Sequence, residues 1–194
     1  RIISHGFIPI IDESSNVIIM GHKNPDMDCY GAAIGMYRGI IDRGLKAYIL
    51  LNEESEGIEE IHQRFKSNED YKFITNEEAN DLIKENTLLV IVDTHRPSFT
   101  ENPQLLEKIN RKVLIDHHRR GTEFIEDPLL TYQEPYASST CELVTEMLQY
   151  LNDEVRIEKI EAEALLAGIY VDTKSFSFKT GVRRSEERRV GKEC

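Results

Sequence analysis

Cysteine is scarce in this chain: three residues in 194, at positions 29, 141 and 194. An odd, scattered set argues against a disulfide framework and for free thiols in a reducing cytoplasm. No second cysteine lies near Cys29, so Cys29 reads as a small helix residue rather than a soft metal ligand. Long apolar runs are missing too. None approaches the roughly 18 residues of a membrane helix, and no stretch has the pattern of a signal peptide. Positive charge is in short supply, with 24 Lys and Arg against 35 Asp and Glu, a net charge of −11. A field of that sign disfavours double-stranded nucleic acid and anionic membranes as partners. It leaves phosphate substrates open, because bound cations can reverse the local sign. Internal repeats and low-complexity segments are also lacking.

What the chain does have is enough apolar residue, 40% of the total, for one sizeable core or a core plus the start of a second domain. Short apolar runs at Val17–Met20, Ala47–Leu51, Leu88–Val92 and Lys112–Ile115 read as buried strands. A minor strand is expected at Phe73 and Ile74, and another short one at Phe124–Glu126. Between them, helical spacing of apolar residues predicts helices over Cys29–Arg43, within Asn52–Lys66, and over Asn102–Ile109 and Ile157–Tyr170. Thr75 with Glu78, and Ser139 with Glu142, have the spacing of capping boxes, opening helices to about Lys84 and Leu151. Gly31, Ala32 and Gly35 keep the first turns of their helix slim, and Gly44 suits its end. Strands that alternate with helices predict an α/β fold, a parallel β-sheet with helices on both faces.

Polar clusters follow the apolar segments. His22, Asp26 and Asp28 come after the first strand, on a loop that Pro25 keeps from becoming helical. Asp93 ends Leu-Leu-Val-Ile-Val, Asp116-His117-His118 follows the fourth long strand, and Asp172 follows the last apolar segment. Parallel sheets gather ligands at the carboxyl ends of their strands. One such aspartate is ordinarily a turn or capping residue. Four clusters in one context point instead to a divalent-cation site. Asp26, Asp28, Asp93 and Asp172 would balance two divalent ions, and neutral His22 and His117 add nitrogen donors. Mixed nitrogen and carboxylate ligation suits manganese over calcium or magnesium, with zinc and iron as alternatives. Two ions side by side can clamp a phosphate for in-line attack. Arg119 and Arg120 are candidates to pair with phosphate oxygens, or form a solvated basic turn. Ser138, Ser139 and Thr140 open a helix, where they either meet an anion or simply cap.

Gly-His-Lys-Asn-Pro-Asp-Met-Asp at 21–28, Val-Asp-Thr-His-Arg-Pro at 92–97 and Asp-His-His-Arg-Arg at 116–120 resemble the motifs of the DHH phosphoesterase family. Within that family the sequence is most similar to the GdpP-type cyclic-di-AMP phosphodiesterases. Glu-Pro-Tyr-Ala-Ser-Ser-Thr at 134–140 and Gly-Ile-Tyr-Val-Asp-Thr-Lys-Ser-Phe-Ser-Phe at 168–178 match the same subgroup. The resemblance implies two Mn2+ ions. His22, Asp26 and Asp93 would hold one, and Asp28, Asp93, His117 and Asp172 the other, with Asp93 bridging. It implies a hydroxide between the ions as nucleophile, Asp116 orienting a histidine, and His118 on the scissile phosphate as general acid. The substrate would be a cyclic dinucleotide opened to linear pApA. Family II pyrophosphatases and RecJ-like or oligoribonuclease phosphoesterases are the alternatives on the same fold, and a catalytically silent metal-binding module is another.

The ends carry expectations of their own. Residues 1–183 read as a DHH domain. A C-terminal DHHA1 domain of the family is expected beyond them, in a longer parent that is membrane-anchored, dimeric and presents this domain to the cytoplasm. Arg184–Cys194 resembles a translated sequencing adapter and reads as a non-native tail.

Overall fold

The computed structural model describes residues 2–152 and 156–173. Lys174–Phe178 of the last motif and the 184–194 segment lie outside the described residues. Six strands form one sheet: β1 (Asn16–Met20), β2 (Ala47–Leu50), β3 (Phe73–Ile74), β4 (Thr87–Val92), β5 (Arg111–Asp116) and β6 (Leu130–Gln133). The order is β3-β2-β1-β4-β5-β6, and every pair is parallel. The chain therefore winds outward one way from β1 and the other way from β4. The crevice at their carboxyl ends is the switch point where such sheets bind ligands.

Alternate side chains on the central strands explain why the runs are apolar throughout. Val17, Ile19, Leu88, Val90, Val92, Val113 and Ile115 point to one buried cluster. Ile18, Met20, Leu89, Ile91 and Leu114 point to the other. Among the described residues seven α-helices cover the two faces: α1 (Ile2–Asp12), α2 (Met27–Ile41), α3 (Glu59–Lys66), α4 (Asn76–Leu82), α5 (Pro103–Lys108), α6 (Thr140–Leu151) and α7 (Lys159–Asp172). The first cluster takes residues of α1, α2, α3, α6 and α7, and the second takes Ala79 of α4 and Leu105 of α5. Among the described residues no helix is long and apolar enough to cross a membrane.

Two elements depart from the sequence reading. Helix α1 was not expected, because Gly6 and Pro9 lie inside it and both weaken helices. Tertiary packing outweighs them: Phe7 and Ile11, one turn apart, are fully buried. The last strand is Leu130–Gln133, not Phe124–Glu126. In the earlier segment only Ile125 is buried, and its N–H donates to the His95 carbonyl rather than to a strand.

Helix α2 is the central support. Its flank against α7 is built from small residues. A Cβ on Gly31 would lie 2.5 Å from the Ala164 carbonyl oxygen, and one on Gly168 would lie 2.5 Å from Cys141 Sγ and 2.8 Å from the Met27 carbonyl oxygen. The two backbones therefore approach closely, and the end of α7 is delivered to the start of α2. Buried Glu161 of α7 secures the pair, accepting from Arg38 Nε at 2.8 Å and from Tyr71 Oη at 2.6 Å.

Candidate metal centre and adjoining cleft

The two loops at the switch point are tied to each other. Lys23 N–H donates to the Phe99 carbonyl and Glu101 N–H to that of Gly21. Between them sits Asp93, directly after β4, with φ 61°. Aspartate tolerates this left-handed conformation better than most residues, and such sites concentrate where function demands them. Asp93 is 2% exposed. One of its oxygens, Oδ2, lies 3.5 Å from His22 Nε2, which is 3.7 Å from Asp26 Oδ1. The other, Oδ1, lies 3.6 Å from His117 Nε2. That nitrogen is also 3.5 Å from Asp28 Oδ2 and 3.2 Å from Asp172 Oδ2. All six expected ligands thus meet in one place, in two groups that share Asp93.

Each side chain has a local reason for its position. Asp26 is the N-cap of α2, accepting from Cys29 N–H at 3.0 Å. Asp28, expected on the loop, lies in the first turn of α2. It is buried against the start of α6, whose Thr140 and Cys141 N–H groups donate to its two oxygens at 2.7 and 2.8 Å. Thr140 Oγ1 donates to Asp93 Oδ1 at 2.7 Å. Asp172 comes from the last turn of α7, not from a strand end.

Ser138 and Ser139 are fully buried and build the entry to α6. The Ser139 hydroxyl accepts from Glu142 N–H, and Ser138 donates through N–H and hydroxyl to the Glu142 carboxylate. Of the two readings open for them, contact with an anion or capping, these hydrogen bonds are those of capping. The anion that the α6 N-terminus meets is Asp28 of the same chain. Arg119 lines the cleft, whereas the Arg120 guanidinium lies over the Phe124 ring, 3.9 Å from its centroid.

Electrostatics show what the cluster demands. Burial, the charge of Asp93 and that of Asp172 push Asp28 up to about 7, against the opposing N–H bonds. Burial works to lower His117, yet the hydrogen bond to Asp172 and the charges of Asp93 and Asp28 raise it to about 9. Burial likewise opposes the charge on His22, but contacts with Asp26 and Asp93 hold it above the ordinary histidine range. Asp172 sits at the negative end of α7, a poor place for a carboxylate without a cation. The carboxylates of Asp26, Asp28, Asp93 and Asp172 thus converge, and among the described residues their close ion-pair partners are histidines. That donor set suits divalent cations. Ligand atoms about 2.1 Å from one ion lie roughly 3–3.5 Å from one another, close to the spacings around His117. Among the described residues three overlapping groups have the required proximity: His22, Cys29 and Asp93; Asp93, His117 and His118; and Asp28, His117 and Asp172. Cys29 in the first is a fully buried thiol that burial pushes up to about 11, and it accepts from His22 N–H.

Beside the ligands opens a cleft of about 780 Å³. His118 stands in it, half exposed, with Nδ1 2.7 Å from Asp116 Oδ1. The bond to Asp116 raises His118, and it holds Asp116 low although burial pulls the other way. Asp116 has a second partner that the motif alone did not identify. Its Oδ2 lies 2.6 Å from Nδ1 of buried His95. The cleft is also lined by Lys23, Arg96 and half-exposed Phe99, with the Arg96 guanidinium 4.1 Å from the Phe99 centroid.

Known proteins place this architecture. An exopolyphosphatase-related protein from Bacteroides fragilis has the same fold, with a TM-score of 0.77 at 21% identity over 94% of this chain and 53% of its own. The cyclic-di-AMP phosphodiesterase GdpP of Bacillus subtilis is 53% identical over 187 residues, covering 94% of this chain and 28% of the relative. A more distant relative, a probable manganese-dependent inorganic pyrophosphatase of Thermotoga maritima, is 34% identical over 107 residues, 55% of this chain and 19% of its own. The chain therefore spans less than a third of the length of the cyclic-di-AMP phosphodiesterases that it matches. Residues 16–169 match the family described as "DHH family, N-terminal domain", and the chain belongs to that family.

Proposed function

We propose that this domain is the metal-bearing part of a phosphodiesterase that opens cyclic di-AMP to linear pApA. The observation that carries the reading is the placement of Asp93, with one oxygen toward His22 and Asp26 and the other toward His117, Asp28 and Asp172. On this reading His22, Asp26 and Asp93 would hold one manganese ion, and Asp28, Asp93, His117 and Asp172 a second. Bound there, such ions supply charge neutralisation for the phosphate and a water of lowered pKa.

The chain's own residues do the rest. His118, raised by its bond to Asp116 and open to the cleft, is placed to deliver a proton to the leaving ribose oxygen. Arg119 faces the same space and offers a fork to phosphate oxygens. Phe99 and Arg96 give the cleft a flat, cationic-aromatic surface suited to a base, which pyrophosphate would not use. The 53% identity to a cyclic-di-AMP phosphodiesterase supports this substrate over pyrophosphate. A C-terminal DHHA1 domain, a membrane anchor, a cytoplasmic orientation and a dimer in the longer protein belong to the same proposal and rest on the motif resemblance.

The test is a manganese-dependent assay on cyclic di-AMP, pyrophosphate and a short oligonucleotide, with this chain and with its longer parent. Conversion of cyclic di-AMP to pApA should dominate. Preference for pyrophosphate or the oligonucleotide would overturn the substrate assignment. Metal uptake without turnover by the parent would indicate a silent binding module.

A further inference from the structure

His95 has no nitrogen to spare for an ion. Its Nδ1 lies 2.6 Å from Asp116 Oδ2, and its Nε2 accepts from Gly121 N–H at 3.0 Å. Because Nε2 accepts, the proton sits on Nδ1 and is donated to Asp116. The ring is 4% exposed and Asp116 is fully buried, so neither partner has water to fall back on. Its backbone is committed as well, the carbonyl accepting from Ile125 N–H.

Each partner leads to a different part of the cleft. Asp116 Oδ1 accepts from both Nδ1 and the N–H of His118, at 2.7 and 3.1 Å. Holding Oδ2 therefore fixes the carboxylate plane, which sets the angle of the His118 ring. Gly121 closes the segment that carries Arg119 and Arg120. Gln133 Nε2, donating to the His118 carbonyl at 2.9 Å, holds the other end of that segment. A Cβ on Gly121 would lie 3.6 Å from His95 Nε2, so the bond leaves ordinary contact distance and no more.

We propose that His95 is a positioning residue with two separable duties: Nδ1 orients His118 through Asp116, and Nε2 anchors the arginine segment through Gly121. The proposal rests on the phosphodiesterase reading for its kinetic consequences, but not for its geometry. The two duties can be removed one at a time. An asparagine amide reaches the Nδ1 position and can still donate to Asp116, but it cannot reach Gly121. A glutamine carbonyl reaches the Nε2 position and can still accept from Gly121, but it leaves Asp116 Oδ2 without its donor.

The experiment compares His95→Asn and His95→Gln in the longer parent for kinetics and in this chain for NMR. His95→Gln should lower kcat about 10–100-fold with little change in KM, the range expected when a partner of a site histidine is lost. His95→Asn should raise KM about 10-fold and leave kcat within about 3-fold. Manganese content should be unchanged in both. In solution the Gly121 amide should be protected from exchange in the wild type and in His95→Gln, and unprotected in His95→Asn. Equal losses in both variants, or no loss in either, would overturn the split. So would a wild-type His95 whose 15N shifts report a protonated Nε2. A wild type without turnover would instead count against the phosphodiesterase reading, and the amide and 15N measurements would still decide the role of His95.

Discussion

Asp93 concentrates the constraints of the centre in one side chain. It is buried, left-handed in backbone, held by Thr140, and turned with one oxygen toward each ligand group. Its replacement by alanine removes a donor from both groups at once, so Asp93→Ala should abolish metal-dependent turnover and lower manganese stoichiometry toward zero. Asp28 belongs to one group only. Asp28→Ala should take the stoichiometry from two ions to one, read by metal analysis after dialysis. Retention of both ions by Asp93→Ala would refute the shared role. At this scale the clustering of the proposed ligands was legible because each group follows an apolar run, and a carboxylate there must answer for its desolvation. The partners of those ligands were not legible. Nothing in Ser-Ser-Thr-Cys shows that its N–H groups reach Asp28, 112 and 113 residues away. Nor does the triplet Asp116-His117-His118 show that His95 takes the free oxygen of its aspartate.

Elements explain how such distant residues come to share a site. Helices α2, α6 and α7 converge on it by their ends: α2 and α6 bring their N-termini, α7 its C-terminus. The slim flank of α2, visible in Gly31 and Gly35, makes the approach possible, and Gly168 completes it from α7. The glycines on α2 could be read as packing positions, but their partner could not, since a small residue does not say what leans on it. Gly168→Ala tests the arrangement by a competition of magnitudes. Alanine in a helix interior gains about 1 kcal/mol over glycine. Against that, its Cβ would meet the Met27 carbonyl at 2.8 Å and Asp28 Cα at 2.9 Å, backbone atoms that cannot step aside. Overpacking of this kind costs about 1–3 kcal/mol. A net loss of stability in urea is expected, with weaker binding of the ion shared by Asp28 and Asp172. A net gain would mean that the helices are further apart than described.

The whole molecule is an acidic chain that gathers Asp26, Asp28, Asp93, Asp116 and Asp172 in one cluster, so its stability should depend on what neutralises them. Without metal, protons do that work. His117 is raised from 6.5 to about 9, and His22 and His118 are raised too. Between those values these groups hold more protons in the folded chain than in the unfolded one, so stability falls as pH rises through the window; His62, which burial lowers, opposes them only near its ordinary pKa at the bottom of that window. Asp28, raised to about 7, acts in the same direction from the carboxylate range upward. Asp26 and Asp116 are held low, and their stabilising contribution is already complete above the ordinary carboxylate pKa, so they do not oppose the trend here. The chelated protein should therefore lose Tm between pH 6.5 and 9, on the order of 5 °C for a chain of this size. Bound manganese would reverse that trend, because a divalent cation takes deprotonated ligands and would stabilise the folded state by mass action. The gap in Tm between manganese-loaded and chelated protein should widen steadily from pH 6.5 to 9. A chelated protein whose Tm is flat or rising over that range would show that its carboxylates and histidines are not gathered as described, whatever the loaded protein does.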